Sequence, residues 1–230
     1  MAVTLLDRTV TTVNEAARQL RIPPATLRHW LEGGERNGTR YEPVLRERSR
    51  GSVRVAWGEM VEARYLRAYR ERVPMQRLRP FIAALRQEFG VAYPLAHLRP
   101  FVDANRRLVL ALQERLDLPD ELWLVFPGRA GQLRINPAII QDFLYRVEFA
   151  SHADAPSGSD EALRIYPMSK DAPVVIDPRV SSGAATVGGI RTAVLAERAE
   201  GFGETPEDLA EEFGLTPAQV KAAIAFEFAA

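Results

Sequence analysis

Along the first thirty positions, apolar residues recur at helical rather than strand spacing. Val13, Ala16, Ala17 and Leu20 fall at i, i+3, i+4 and i+7, which is one face of a short helix. In front of that face, Thr12-Val-Asn-Glu15 reads as a capping box, the Thr12 hydroxyl capping the helix and Glu15 reaching back. Arg21-Ile-Pro23 interrupts, because proline disfavours the α conformation in the residue before it. A second short helix follows, with Pro24 in its first turn, Leu27, Trp30 and Leu31 on one face, and Gly33-Gly34 at its end. Two short helices around a tight turn, with small alanines where they approach, predict a helix-turn-helix.

From Glu35 to Val55 the pattern turns polar and carries six arginines: Arg36, Arg40, Arg46, Arg48, Arg50 and Arg54. Gly51 is expected to turn a short hairpin in which Val53 and Val55 alternate with Arg54, a β-ribbon wing beside the second helix. Helical spacing resumes from about Trp57 to Arg72 through Met60, Val61, Tyr65 and Ala68. It resumes again after Pro74 through Leu78, Phe81, Ile82, Leu85 and Phe89, and Gly90 stops it.

The middle of the chain reads differently. Arg107–Leu112 and Leu122–Phe126 are continuous apolar runs and are expected to be buried strands. Pro127–Gly131 supplies the turn and Gln132–Ile135 the returning strand. Asn136-Pro137 opens a helix that buries Ile139, Ile140, Phe143, Leu144 and Val147, and Ser151–Asp160 has the composition of a flexible link. Short extended pieces, Leu163–Tyr166 and Val174–Ile176, precede three helices. These run from Thr192 to Glu200, from the cap Thr205-Pro-Glu-Asp208 to Gly214, and from the capping box Thr216-Pro-Ala-Gln219 onward with Val220, Ala223, Ile224 and Phe228 inside. The expected fold class is α+β, mainly α. It comprises a winged helix-turn-helix over residues 1–100, a small mixed middle segment over 101–160, and a three-helix, helix-turn-helix-like unit over 161–230.

Charge sharpens that division. The 230 residues carry 30 basic and 30 acidic side chains, yet residues 1–100 hold 18 arginines, no lysine and 10 acids, a net +8. Residues 101–150 stand at −1 and residues 151–230 at −7. A basic front end suits a polyanion, whereas Glu204, Glu207, Asp208, Glu211 and Glu212 would repel phosphate and suit a protein-binding or dimerising unit. Cysteine is absent, which excludes disulfides, thiol catalysis and cysteine-ligated zinc. No apolar run approaches the roughly 20 residues of a membrane span, and no secretory leader opens the chain, so the expected location is the cytoplasm. With three histidines and no Ser-His-Asp or Cys-His arrangement, neither a catalytic residue, a metal site nor a cofactor is expected, and the protein is read as not an enzyme.

Thr12-Val-Asn-Glu-Ala-Ala-Arg-Gln-Leu20 followed by Pro24-Ala-Thr-Leu-Arg-His-Trp30 resembles the winged helix-turn-helix of the MerR class, and the likeness continues to about Gly90. The departures are a longer wing with Val55-Ala-Trp57 at its end, no long coiled-coil helix and no cysteine sensor. The resemblance therefore implies DNA binding without metal or drug sensing. With Leu27, Trp30 and Leu31 inward, Ala25, Thr26, Arg28 and His29 would face DNA, Arg28 meeting either a guanine edge or a phosphate. Arg46, Arg48, Arg50 and Arg54 would clasp the backbone.

Val175-Ile-Asp-Pro178, Gly183, Gly188-Gly-Ile-Arg-Thr192, Gly201, Thr205–Ala210, Phe213–Thr216 and Val220–Phe226 resemble domain-of-unknown-function family four-three-three. Members are commonly antitoxins paired with PIN-like ribonuclease toxins. The resemblance implies a VapB-type antitoxin that binds such a toxin and represses its own operator, double-stranded DNA, as a homodimer. One departure is Gly183-Ala-Ala-Thr186 where members often carry Gly-Lys/Arg-Pro. The alternative is a MerR-like ligand-responsive regulator without a toxin, with Trp123, Phe126 and Phe143 either lining its ligand or, as the preferred reading, serving as ordinary core.

Overall fold

A computed structural model describes residues 4–36, 38–69, 75–97, 106–116, 118, 125–127, 133–135, 137–150 and 160–229. Strand β1 (Thr9–Thr12) leads into α1 (Val13–Leu20) and α2 (Pro24–Glu32). Strands β2 (Gly34–Arg36), β3 (Thr39–Tyr41) and β4 (Arg54–Ala56) follow, then α3 (Trp57–Tyr69), α4 (Met75–Phe89) and α5 (Arg106–Arg115). Next come β5 (Val125–Pro127), β6 (Leu133–Ile135), α6 (Pro137–Arg146), β7 (Val147–Phe149), β8 (Ala162–Ile165), β9 (Val175–Ile176), β10 (Ala185–Val187) and β11 (Ile190–Arg191). The chain closes on α7 (Thr192–Gly201), α8 (Pro206–Phe213) and α9 (Pro217–Phe228). The architecture is α+β and mainly helical.

The helix-turn-helix forms for the reasons its sequence gives. Thr12 caps α1 by accepting the Glu15 N–H at 3.2 Å. Glu15 does not complete the box, because its carboxylate is taken by Arg18 at 2.6 Å and Gln19 at 2.8 Å. Arg21 ends α1 in the left-handed region at φ 55°, and Leu27, Trp30 and Leu31 of α2 are buried as expected.

Three expectations are corrected. The hairpin is not turned at Gly51: β2 and β3 pair antiparallel around Gly38, which sits at φ +73° where glycine is free of strain. The sequence held the signal in Asn37-Gly38, the dipeptide favoured in two-residue hairpin turns. Arg54–Ala56 pairs instead with β1, a β-branched stretch the periodicity did not separate from the helix behind it. Residues 106–115 are a helix rather than a strand. Val109, Leu112 and Gln113 are buried at i, i+3 and i+4, and a short continuous apolar run does not distinguish a buried strand from a buried helix. Val147 is buried, but as the first residue of β7 rather than inside α6.

The returning strand of the middle segment is present, β5 pairing antiparallel with β6. The expected turn at residues 128–131 and most of the link at 151–160 lie outside the described residues. Strands β7 to β11 form one antiparallel sheet in sequential order. Its first strand lies before residue 160, so the sheet joins the middle segment to the carboxy-terminal helices. A contiguous core runs from Leu6 to Phe226 and spans both. Among the described residues, no helix is long and apolar enough to cross a membrane.

Candidate nucleic-acid interface

Helix α2 buries one face and leaves the other to solvent. Ala25 and Arg28 are exposed, Thr26 and His29 half-buried. His29 is partly committed within the protein. Its Nδ1 lies 3.2 Å from the Gly33 carbonyl oxygen, Nε2 lies 3.4 Å from an Arg79 guanidinium nitrogen, and the ring stands edge-on to Tyr41 at 5.8 Å. Arg79 also stacks over Tyr41 at 5.1 Å. This cluster docks the β2–β3 hairpin against both α2 and α4, so His29 positions the hairpin from the edge of the exposed face.

The four loop arginines separate into two kinds. Arg46 is buried, contrary to the expectation that it clasps a backbone. Its Nε and Nη2 donate to the two Glu59 carboxylate oxygens at 2.7 and 3.1 Å, Nη1 meets Glu32, and Nη2 also donates to the Arg54 carbonyl at 2.7 Å. A guanidinium with that many buried partners is not offered to an outside phosphate. Arg48, Arg50 and Arg54 remain exposed, with Arg50 3.7 Å from Glu59.

Glu32, which the sequence reading did not single out, fixes the loop that carries them. It sits in the last turn of α2, and its carboxylate accepts the N–H groups of Arg50 and Gly51 at 2.8 Å and of Ser52 at 3.3 Å, with the Ser49 hydroxyl as well. Converging backbone N–H groups of this sort form an anion-binding nest, here filled by the protein's own carboxylate. The loop is thereby tied to α2, and the exposed arginines share a frame with Arg28. Only the short separation of Glu32 from an arginine-rich polar stretch hinted at this in the sequence.

The carboxy-terminal unit is packed onto the helix-turn-helix. Arg21, in the turn between α1 and α2, donates to the Ala229 and Phe226 carbonyl oxygens at 2.8 and 3.4 Å and covers the Phe226 ring. Arg18 is ion-paired with Glu227. Part of the expected acidic surface is spent internally, since Arg198 bridges Glu204 and Glu212, and Lys221 reaches Glu207 at 3.0 Å. The capping box expected at Thr216 with Gln219 is formed, and the cap expected at Thr205 is itself a full box closed by Asp208.

Of the residues suggested to line a ligand site, Trp123 lies outside the described residues. Phe143 is core, packed edge-on against Tyr65 and Phe149. Among the described residues, no group of three or more His, Cys, Asp or Glu is disposed to hold a metal.

Comparison with known proteins places this geometry in context. A family model described as "Protein of unknown function (DUF433)" matches residues 174–226. Over nearly its whole length the chain is similar to "Uncharacterized protein Rv2308" of Mycobacterium tuberculosis, with 36% identity covering 97% of this chain and 92% of that one. It is also similar to "Putative antitoxin VapB45" of the same organism, with 30% identity covering 93% and 91%. Among solved structures, the X-ray crystal structure of Rv2018 from Mycobacterium tuberculosis superposes with a TM-score of 0.72 and 29% identity, over 95% of this chain and 99% of that one.

Proposed function

The chain belongs to the family of Rv2308 and VapB45, and on that premise we propose that it is the antitoxin of a type II toxin–antitoxin module. The observation that carries this reading is the near full-length likeness to a protein named as an antitoxin, supported by the match of residues 174–226 to the carboxy-terminal family. In this reading the protein neutralises a PIN-like ribonuclease and represses its own operator as a homodimer, with no catalytic residue or cofactor of its own.

The two tasks fall to the two ends of the chain. The amino-terminal helix-turn-helix, of MerR type in this reading, lays the Ala25–Arg28 face of α2 in the major groove, while Arg48, Arg50 and Arg54 hold flanking phosphates. Support comes from the exposure of these residues and from the Glu32 clasp that fixes the loop to the helix. The acidic helices α7 to α9 take the toxin, because a carboxylate-rich surface is repelled by DNA and attracts a basic protein face. Two-fold symmetry of the homodimer matches paired half-sites on the duplex.

Co-expression with the product of the adjoining open reading frame tests the reading. The expected result is a stable complex on a sizing column and relief of that product's toxicity in cells. Absence of both the complex and the relief would refute the antitoxin assignment. Binding of the purified protein to its own promoter fragment tests the operator role separately.

A further inference from the structure

A cavity of about 400 Å³ lies between the helix-turn-helix and the carboxy-terminal unit. Its lining includes Arg18 and Glu15 of α1, Arg54 of β4, and Ser181, Ser182 and Arg191 from the far side. Arg18 is matched within the protein by Glu15 and Glu227. Burial opposes the charge on Glu15, but hydrogen bonds from Arg18 and Gln19 and the fields of Arg18 and Arg191 outweigh it, so this carboxyl stays below the ordinary glutamate range. The side chains of Arg54 and Arg191 form no salt bridge among the described residues. Two guanidinium groups, one from each unit, therefore line one cleft without a direct ion pair, the Glu15 carboxylate acting on Arg191 through its field alone. Arg191 is also the residue that leads into α7, with no side-chain cap on that helix, so the positive end of the helix dipole lies on the same side.

We propose that this cleft binds a phosphate group between Arg54 and Arg191, the group being supplied by the DNA backbone. Guanidinium forks suit phosphate oxygens in geometry as well as charge. The inference rests on the operator-binding reading and extends it, because it gives the otherwise acidic carboxy-terminal unit a contact with the duplex. It also gives a toxin bound to that unit a direct route to operator affinity through the placement of Arg191.

The test uses the full-length protein and the variants Arg191→Ala, Arg54→Ala, the double variant and Arg191→Lys, with folding checked by circular dichroism. Duplex affinity is measured across a series of salt concentrations. Each lost phosphate contact should reduce the slope of log K against log salt by about one. Because the two arginines share one phosphate, Arg191→Ala is expected to show part or all of that reduction on operator and unrelated duplex alike, the double variant the full reduction of about one, and Arg191→Lys a partial return. In parallel, inorganic phosphate is titrated calorimetrically into the wild-type protein and the double variant. An unchanged slope with phosphate bound by the wild type alone would make the source a free phosphate instead. An unchanged slope with no phosphate binding overturns the proposal. Should the wild-type protein ignore DNA altogether, the operator reading fails by itself, and the phosphate titration decides the cleft.

Discussion

Arg46 and Glu59 form a two-point ion pair in the interior of the helix-turn-helix unit, Nε to Oε1 at 2.7 Å and Nη2 to Oε2 at 3.1 Å, each side chain about 1% exposed. Breaking a buried pair by removing one partner leaves an uncompensated charge and costs about 3–5 kcal/mol. Arg46→Ala should therefore lower the urea midpoint markedly. Arg46→Lys should recover little, since an ammonium does not reproduce the fork. If Arg46→Ala kept wild-type stability and lost only DNA affinity, the structural role assigned to this residue would be wrong.

Arg28 is exposed on α2 and its removal should leave the fold intact. Arg28→Ala is expected to weaken operator binding by about 1–3 kcal/mol and relax specificity at one base position if it reads a base. A uniform loss on all duplexes would mark a phosphate contact. Gel-shift titrations against the operator and a scrambled duplex separate the two. No change on either would remove Arg28 from the interface.

Glu32→Gln tests the clasp on the arginine loop. A hydrogen bond to a charged group contributes about 1.5–3 kcal/mol, so weakening three of them should speed amide exchange at Arg50, Gly51 and Ser52 by about tenfold or more. Trypsin cleavage at Arg48 and Arg50 should increase in step. Equal exchange rates in both proteins would mean that the loop is held by other contacts.

Gly183 sits at φ +74°, and a Cβ there would approach Val10 Cβ to 2.8 Å. Gly183→Ala therefore meets both a strained backbone and a clash with β1, and should cost about 1–3 kcal/mol. Adding Val10→Gly removes the Cβ it meets and should offset part of the clash without repairing the backbone strain. Additive losses in the double variant, seen by thermal or denaturant melting, would show that the two residues do not meet.

Asp177 supplies the pH prediction. Burial opposes its charge, but hydrogen bonds from the Arg179 side chain and backbone and from Arg164 win, holding its carboxyl down at about 2. A carboxyl depressed in the folded state adds stability above its unfolded pKa, and that stability is lost as pH falls toward the folded value. The contribution is about 2 kcal/mol as an upper figure, reduced by the partial exposure of both arginines. Wild type should lose it between about pH 4 and pH 2, while Asp177→Asn should lack it at neutral pH and show a flatter acid limb. Parallel acid limbs for the two proteins would count against the assignment.

Helices whose apolar residues repeat at i, i+3, i+4 and i+7 between clear caps were legible from sequence, as α1, α2, α8 and α9 show. Their periodicity and capping chemistry are local, so a window of a dozen residues contains the cause. The segment 106–115 was not legible, because a continuous apolar run satisfies either period and only the neighbours it packs against choose between them. Strand β1 was hidden for a related reason. Its partner β4 lies more than forty residues away, and no local pattern announces a pairing at that distance.

The candidate interface divides in the same manner. Sequence alone determined that the arginines crowd into the front of the chain, that α2 turns Leu27, Trp30 and Leu31 inward, and hence that Arg28 faces out. Only the tertiary structure decided that Arg46 is interior while Arg48, Arg50 and Arg54 are not, and that Arg191 of the acidic unit stands across a cleft from Arg54. Local periodicity orients a side chain about its own helix. Whether a charge meets solvent or a buried carboxylate depends on which distant segments the packed core brings alongside it.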